Sequence, residues 1–444
     1  MKKPRPTRRL RPLLAVLVVC ILDGATAPVQ AAEVDSPPPT TSSTENIGDL
    51  DAPSPSATPD TGASAPEESS PSRAAEKILR FSIPNDSRES LSQRERRFFK
   101  SGHEWLEERG ILGSVDIALM NQYANRTNYG GNNAATFAWQ IFVDYELLNW
   151  KDVGSFHIGG TVLGSVGMDY NEAQESLSER TGSISILNGN VFPHGVALDQ
   201  LYLQYLDPSA SFFVSVGKID MSDFFDNNRV ANNSFRKFFA FTFENSLSIP
   251  FPTYGDVGIL ARWDIRENVY VMFGAGIAES DVRVPVWGGL DGAWWELLES
   301  GITIRPDFLG AGTYRLTIWQ SNVDSRHGFG ASFSIAQALG RDWLLGFLRL
   351  GVGNPNQTTI KSAISGGFAI QKPFGRALDE TGIAFSWADS VESLRNEKLL
   401  EVYYRFSING ALSMSPDLQV LIDPALGPSN GVSIIAGVRM FASF

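Results

Sequence analysis

The chain ends on Val432-Ser433-Ile434-Ile435-Ala436-Gly437-Val438-Arg439-Met440-Phe441-Ala442-Ser443-Phe444. Val432, Ile434, Ala436, Val438, Met440, Ala442 and Phe444 form an unbroken apolar row, set against Ser433, Gly437, Arg439 and Ser443. Successive side chains of an extended strand point to opposite sides, so such a row is one apolar face of a β-strand. A final strand closing on Phe is the pattern of bacterial outer-membrane barrels. The competing reading is a buried edge strand of a soluble sheet.

The same period of two runs back through the chain. Phe137, Trp139, Ile141, Val143, Tyr145 and Leu147 alternate with Ala138, Gln140, Phe142, Asp144 and Glu146. Comparable rows occur at Leu201/Leu203/Tyr205, Phe212/Val214/Val216, Val257/Ile259/Ala261/Trp263, Tyr314/Leu316/Ile318, Phe329/Ala331/Phe333/Ile335, Leu400/Val402/Tyr404/Phe406/Ile408 and Leu418/Val420/Ile422. These read as half-buried strands with one consistently apolar face. A soluble sandwich and a membrane barrel both alternate, so the question is what that face touches. Three features favour lipid. Tyr123, Trp150, Tyr205, Trp263 and Trp387 sit at strand ends, where interfacial aromatic girdles belong. The opposite face is charged and polar. Tight connections such as Asp207-Pro208-Ser209-Ala210 alternate with long ones such as 168–195. The expectation is an all-β chain whose residues 114–444 form a transmembrane antiparallel β-barrel of about 16 strands, wide enough to leave an aqueous channel.

Composition agrees. Of 444 residues 43% are hydrophobic and 19% charged, and beyond the first thirty no apolar run is long enough for a spanning helix. A formal charge of -12 argues against nucleic acid as a partner, since phosphate neutralisation needs a Lys/Arg surplus. The single Cys excludes a disulfide framework and a cysteine metal cluster.

Lys2, Lys3, Arg5, Arg8, Arg9 and Arg11 precede the apolar run 13–22 and a small-residue stretch ending at Ala31-Ala32, the order of a secretory signal peptide over residues 1–31. Its removal takes six of the 37 basic residues and one of the 49 acids, so the mature chain carries 31 against 48 and a formal charge of -17. Residues 32–89, rich in Pro, Ser and Thr, read as a disordered periplasmic tether. Ser90-Leu91-Ser92-Gln93 resembles a capping box, and Leu91, Phe98, Phe99, Trp105 and Leu106 recur at helical spacing before Gly110. A short amphipathic helix over 90–109, within a 90–113 segment before the barrel, is expected to pack on the main domain or to lie at a pore mouth.

Four stretches together resemble the carbohydrate-selective porin family, the OprB type, over roughly 103–444. They are Gly110-Ile111 leading to Asn128-Tyr129-Gly130-Gly131-Asn132-Asn133; Val216-Gly217-Lys218-Ile219-Asp220-Met221-Ser222-Asp223-Phe224-Phe225-Asp226 continuing through Asn232-Asn233-Ser234-Phe235; Gly312-Thr313-Tyr314-Arg315-Leu316-Thr317-Ile318-Trp319; and Glu397, Glu401-Val402-Tyr403-Tyr404, Ser415-Pro416-Asp417-Leu418-Gln419 and Asp423-Pro424. The resemblance implies a bacterial outer-membrane barrel, with its N-terminus in the periplasm, that admits carbohydrates or similarly small polar solutes by passive diffusion. The chain departs from relatives that carry an envelope-binding domain before the barrel, having only the tether and a helix there.

If the apolar parity faces lipid, the other parity faces the channel and presents Asp116, Gln140, Asp144, Arg262, Arg315, Trp319, Glu401, Tyr403, Arg405, Asp417 and Gln419. Sugars offer hydroxyls to charged groups and C–H faces to aromatic rings, so Trp319 and Tyr403 beside Arg and carboxylates suit their passage. A merely solvated wall without selectivity is the plainer reading. Asp223, Asp226, Arg229, Arg236 and Lys237 are candidates for an inward-folded constriction loop. The acid-rich run lacks the sixth-position Gly and closing Glu of an EF-hand, so no metal and no cofactor is expected.

Nor is an enzyme expected. His103, His157, His194 and His327 show no HExxH spacing, and no G-x-S-x-G elbow occurs. His157 with Ser residues nearby keeps an outer-membrane esterase as a remote reading. Trp287, Trp294 and Trp295 fall in what reads as a long connection. Expected partners are the solute, outer-membrane lipid and, through the Phe444 strand, the barrel-assembly machinery; a homo-oligomer is compatible with the pattern, which does not fix it. The alternatives are a general diffusion porin without sugar preference and a closed barrel with a surface-binding or hydrolytic role.

Overall fold

The computed structural model describes residues 105–168, 177–190, 195–252, 255–277, 294–322, 327–340, 343–391, 395–428 and 430–444. The signal segment, the tether and all but the end of the expected helix lie outside these residues, as do Trp287, His103 and His194.

Among the described residues sixteen strands follow one another: β1 Ile111–Ala124, β2 Asn133–Trp150, β3 Gly154–Gly167, β4 Gly195–Leu206, β5 Phe212–Ile219, β6 Asp256–Arg266, β7 Val269–Ile277, β8 Trp294–Ile304, β9 Gly312–Ser321, β10 Gly328–Ala338, β11 Leu344–Gly353, β12 Ile360–Gln371, β13 Glu380–Ser390, β14 Asn396–Ser407, β15 Leu412–Ile422 and β16 Val432–Ser443. Each pairs antiparallel with its neighbours in sequence, and β16 pairs with β1 to close the barrel. Closure leaves no edge strand, which in hydrocarbon is the condition for satisfying every backbone polar group. The terminal Phe444 shares in the seam: its N–H donates to Val115 O at 2.9 Å and its carbonyl accepts from Val115 N at 3.0 Å. The barrel begins at Ile111, three residues before the expected 114, because Gly110 (φ 72°) turns the chain straight from a short helical turn into β1.

The alternation read from the sequence sets the two faces. Leu119, Ile141, Leu203, Val216, Ile259, Leu316, Ile318, Phe333, Leu348, Val402, Leu418, Ile434 and Met440 are all exposed on the outside, while the intervening residues are buried inside. So many exposed apolar side chains around a closed wall identify a membrane-facing surface. Tyr123, Trp150 and Trp263 are exposed at strand ends, and Trp150, Phe156 and Tyr205 form an aromatic contact set with centroids 6.0 and 5.2 Å apart. Among the described residues no helix is long and apolar enough to cross a membrane.

Both chain ends of the barrel and the tight connections 151–153, 207–211, 267–268, 305–311, 339–343, 372–379 and 408–411 lie at one end. The longer connections, including 168–194 and 220–255, lie at the other. Trp294 and Trp295 begin β8 instead of lying in a connection: Trp295 points inward and is buried edge-on to Phe251, with centroids 5.7 Å apart. Two apolar residues in succession suited either a loop anchor or a strand start, and the ladder to Gly276 and Ser321 selects the latter.

Candidate functional site

The lumen is not an empty tube. Between β5 and β6 the chain enters the barrel through a 3-10 turn, Met221–Asp223, whose N-cap Asp220 accepts from Ser222 N at 2.8 Å. It returns through the short helix α2, Phe241–Glu244. Apolar side chains of this segment pack on the inner wall: Phe224, Phe225 and Ile249 join Tyr270, Met272, Trp295 and Trp319, while Val230, Phe238 and Phe243 join Phe347, Leu399 and Tyr403. Inward-facing glycines make the room. A Cβ on Gly274 would stand 2.8 Å from the Phe225 ring, and one on Gly382 would stand 2.8 Å from Phe238. A second stretch, carrying the short helix α1 (Leu177–Thr181), runs alongside the first. Asn190 Nδ2 donates to Ser234 O at 2.8 Å, and Phe241 N to Ile186 O at 2.9 Å.

Buried charges of the wall fasten this infolding. Arg349, fully buried, sets Nε 3.1 Å from Asp226 Oδ2 and donates through Nη2 to Asp226 O (2.9 Å) and Asn232 Oδ1 (2.5 Å); Nη1 donates to Phe243 O. Arg439 donates to Lys237 O at 2.8 Å and to Ser234 O, with its guanidinium 4.2 Å over the Phe239 ring. Glu401 accepts the backbone N–H groups of Phe239 and Ala240 at 2.5 and 3.0 Å. Glu299 accepts from Asp226 N, Tyr270 Oη and Thr317 Oγ1 at 2.6 to 2.7 Å. Glu397 holds the second stretch by accepting from Ser183, Ile184 N and Ser185, and Gln122 and Gln419 both donate to Leu187 O. A backbone group left unpaired inside costs about 1–3 kcal/mol, so each carboxylate and guanidinium here compensates donors or carbonyls that the infolded chain could not pair by itself.

The expected channel residues therefore divide. Glu401, Tyr403, Asp417, Gln419, Trp319, Asp116 and Asp144 face inward as parity requires, yet all are buried and meet protein. Tyr403 donates to Glu380 at 2.6 Å, and Asp116 accepts from Gln140 at 3.0 Å. Asp144 is engaged by His157. These seven are thus covered by protein: parity assigns a side chain to the inside and says nothing of what covers it. Arg262, Arg315 and Arg405 are only half-buried. Arg262 lies 3.7 Å over the Tyr270 ring and bonds Asp264 at 2.9 Å, Arg315 donates to Tyr270 Oη at 3.0 Å, and Arg405 stands 3.9 Å from Glu380.

The five loop candidates all belong to the infolded segment. Asp223 accepts from Gln200 at 2.6 Å, and Asp226 meets Arg349. Arg236 lies 4.7 Å over Phe441. Lys237 donates to Arg229 O at 2.6 Å, while exposed Arg229 reaches Ala311 O at 2.7 Å, toward the tight-turn end. Burial pushes the Asp220 and Asp226 carboxyls above their usual range despite these partners. Carboxylate oxygens of Asp199, Asp220 and Asp223 come within 4.8 Å of one another, a grouping of metal-ligand type that the acid-rich run half signalled by supplying two of the three.

Arg349, Glu299 and Tyr270 were missed by sequence reasoning, and Glu397 and Arg439 were noted only within a family stretch and on the polar face of the last strand. The available signal was a lone charge on the inward parity of an otherwise apolar strand, as in Leu348-Arg349-Leu350 and Val438-Arg439-Met440.

Residues 303–444 match the family model described as carbohydrate-selective porin, OprB family. This span holds the third and fourth stretches of the resemblance, and the first two precede it. The high-pH structure of Pseudomonas putida OprB superposes with a TM-score of 0.62 at 14% identity, covering 78% of this chain and 97% of that one. The low-pH structure of the same protein gives 0.50 at 17% identity, covering 78% and 96%. None of the curated proteins compared with the chain matches it. The fold is that of the porin structures it superposes on, a closed antiparallel barrel of sixteen strands.

Proposed function

We propose that this chain is an outer-membrane porin through which carbohydrates and similarly small polar solutes diffuse passively. The carrying observation is a closed barrel with a lipid-facing exterior whose lumen is narrowed by an infolded segment bearing water-accessible Arg229, and whose wall carries half-buried Arg262, Arg315 and Arg405. The family match over 303–444 supports carbohydrate as the solute class. Guanidinium groups donate to sugar hydroxyls without irreversible capture, and conduction requires contacts weak enough to release the solute. No bond is made or broken. The signal segment 1–31 and the tether 32–89 accord with an N-terminus on the periplasmic side, where β1 begins among the tight turns, and the Phe444 strand is the proposed contact of the assembly machinery.

Liposome swelling with neutral sugars and with amino acids of matched size tests the reading. Faster entry of sugars is expected. Equal rates favour a general diffusion porin, and absence of conductance in planar bilayers favours a closed barrel. Arg315→Ala should change ion selectivity or sugar block, and unchanged values would place the passage elsewhere in the lumen.

A further inference from the structure

At the tight-turn end of the inner wall, Ser155, His157 and Asp144 form a relay. Ser155 Oγ lies 2.8 Å from His157 Nε2, and His157 Nδ1 lies 2.8 Å from Asp144 Oδ1. An ionised carboxylate can only accept, so beside one Nδ1 carries a ring proton, and in the neutral imidazole Nε2 then accepts the Ser155 hydroxyl proton. Hydroxyl, imidazole and carboxylate in this order and at these distances are the arrangement that activates a serine nucleophile, whatever the fold. The surrounding wall fixes it: Ser155 and His157 are two residues apart on β3 and share its inner face, and Asp144 projects from the adjacent β2. All three are buried, with Ser155 6% exposed, and Ser155 pairs across the ladder with exposed Asn149 beside the 151–153 turn, so its hydroxyl stands next to the mouth of the barrel. Nothing in the channel reading uses this trio.

We propose that Ser155 is an activated nucleophile that cleaves small neutral carboxylic esters entering from the tight-turn end. Ser155 Oγ would bond to the ester carbonyl carbon as its proton passes to His157 Nε2. The ester C–O bond then breaks, and the leaving alcohol takes that proton. Water next attacks the acyl-serine, gives a proton to Nε2 and releases the acid, and the proton returns to Ser155. Asp144 holds the imidazole in its tautomer and faces the imidazolium. Neutral esters are favoured because Asp144 and Glu146, which is His157's ladder partner, would repel an anionic acyl group. The amide of Asn149, which donates to Glu146 at 2.9 Å, is the side-chain donor placed opposite Ser155 to meet a developing oxyanion.

The test is to treat the folded, detergent-solubilised full chain with a small fluorophosphonate and map the adduct by peptide mass. p-Nitrophenyl acetate release is followed in parallel, and gel mobility without heating verifies the barrel in every variant. Expected are a single adduct on Ser155, none there in Ser155→Ala, which should keep the wild-type conductance, and labelling slowed roughly 10²-fold or more in His157→Gln. Labelling should also fall on acidification as the imidazole becomes protonated. A folded wild-type barrel with unlabelled Ser155, or a His157→Gln barrel labelled at the wild-type rate, would overturn the proposal and leave the trio as mutually satisfied wall residues.

Discussion

Leu348 and Arg349 are neighbours in β11, and they answer to different solvents. Leu348 stands exposed on the outer wall among side chains that need only be apolar, whereas Arg349 inside contacts Asp226, Asn232 and Phe243 at once. The outer face is specified by transfer free energy, which any apolar residue satisfies. The inner face is specified by pairing, which only particular atoms satisfy. The same contrast holds between Val402 and Glu401, and between Val438 and Arg439.

Substitutions on either side put that contrast to the test. The largest effect is expected for Arg349→Met, which strands Asp226 as an uncompensated buried charge, a loss of about 3–5 kcal/mol. The infolded segment should loosen, seen as higher and noisier single-channel conductance. Unaltered conductance would mean that the apolar contacts alone hold it. Leu348→Arg carries the charge to the lipid side and should cost about 2–4 kcal/mol near mid-membrane, measured by reversible unfolding in lipid, while conductance stays as in the wild type. Leu348→Met, apolar and similar in volume, should cost less than about 1.5 kcal/mol. Glu401→Gln weakens acceptance from Phe239 N and Ala240 N by about 1–3 kcal/mol, with a smaller rise in conductance than Arg349→Met.

The smallest effect belongs to the 372–379 turn, outside both faces. Burial pushes the Asp379 carboxyl up, but Tyr404 Oη, Ser407 N and Arg376 outweigh it and hold it below the usual carboxylate range. A carboxyl whose folded value is depressed contributes stability above its unfolded value, near 4, and loses that contribution as pH falls through the folded value. The heat-modifiable transition should therefore drop in temperature below about pH 4, and Asp379→Asn, worth roughly 1 kcal/mol, should remove part of that dependence.

Reading the sequence recovered the wall better than the lumen. Strand parity at Phe137 to Leu147 or at Val432 to Phe444 is local, since adjacent residues must take opposite faces, and hydropathy then decides which face meets lipid. The inward parity of Glu401, Tyr403, Asp417 and Gln419 was equally legible. Their burial was not, because it depends on chain some 160 residues away in sequence, as when Glu401 caps Phe239 and Ala240. Trp294 and Trp295 illustrate the boundary, since their run of apolar residues fits a loop anchor and a strand start alike until β7 and β9 supply the ladder.

The sequence by itself determined the closed all-β wall, its lipid-facing side and the alternation of tight and long connections, because these follow from a repeat of two and from the insolubility of unpaired backbone in hydrocarbon. Only the tertiary structure decided which inward side chains meet water, which clasp the infolded segment and which, like Ser155, His157 and Asp144, meet one another. Those assignments rest on hydrogen bonds between atoms distant in sequence, and no local periodicity encodes them.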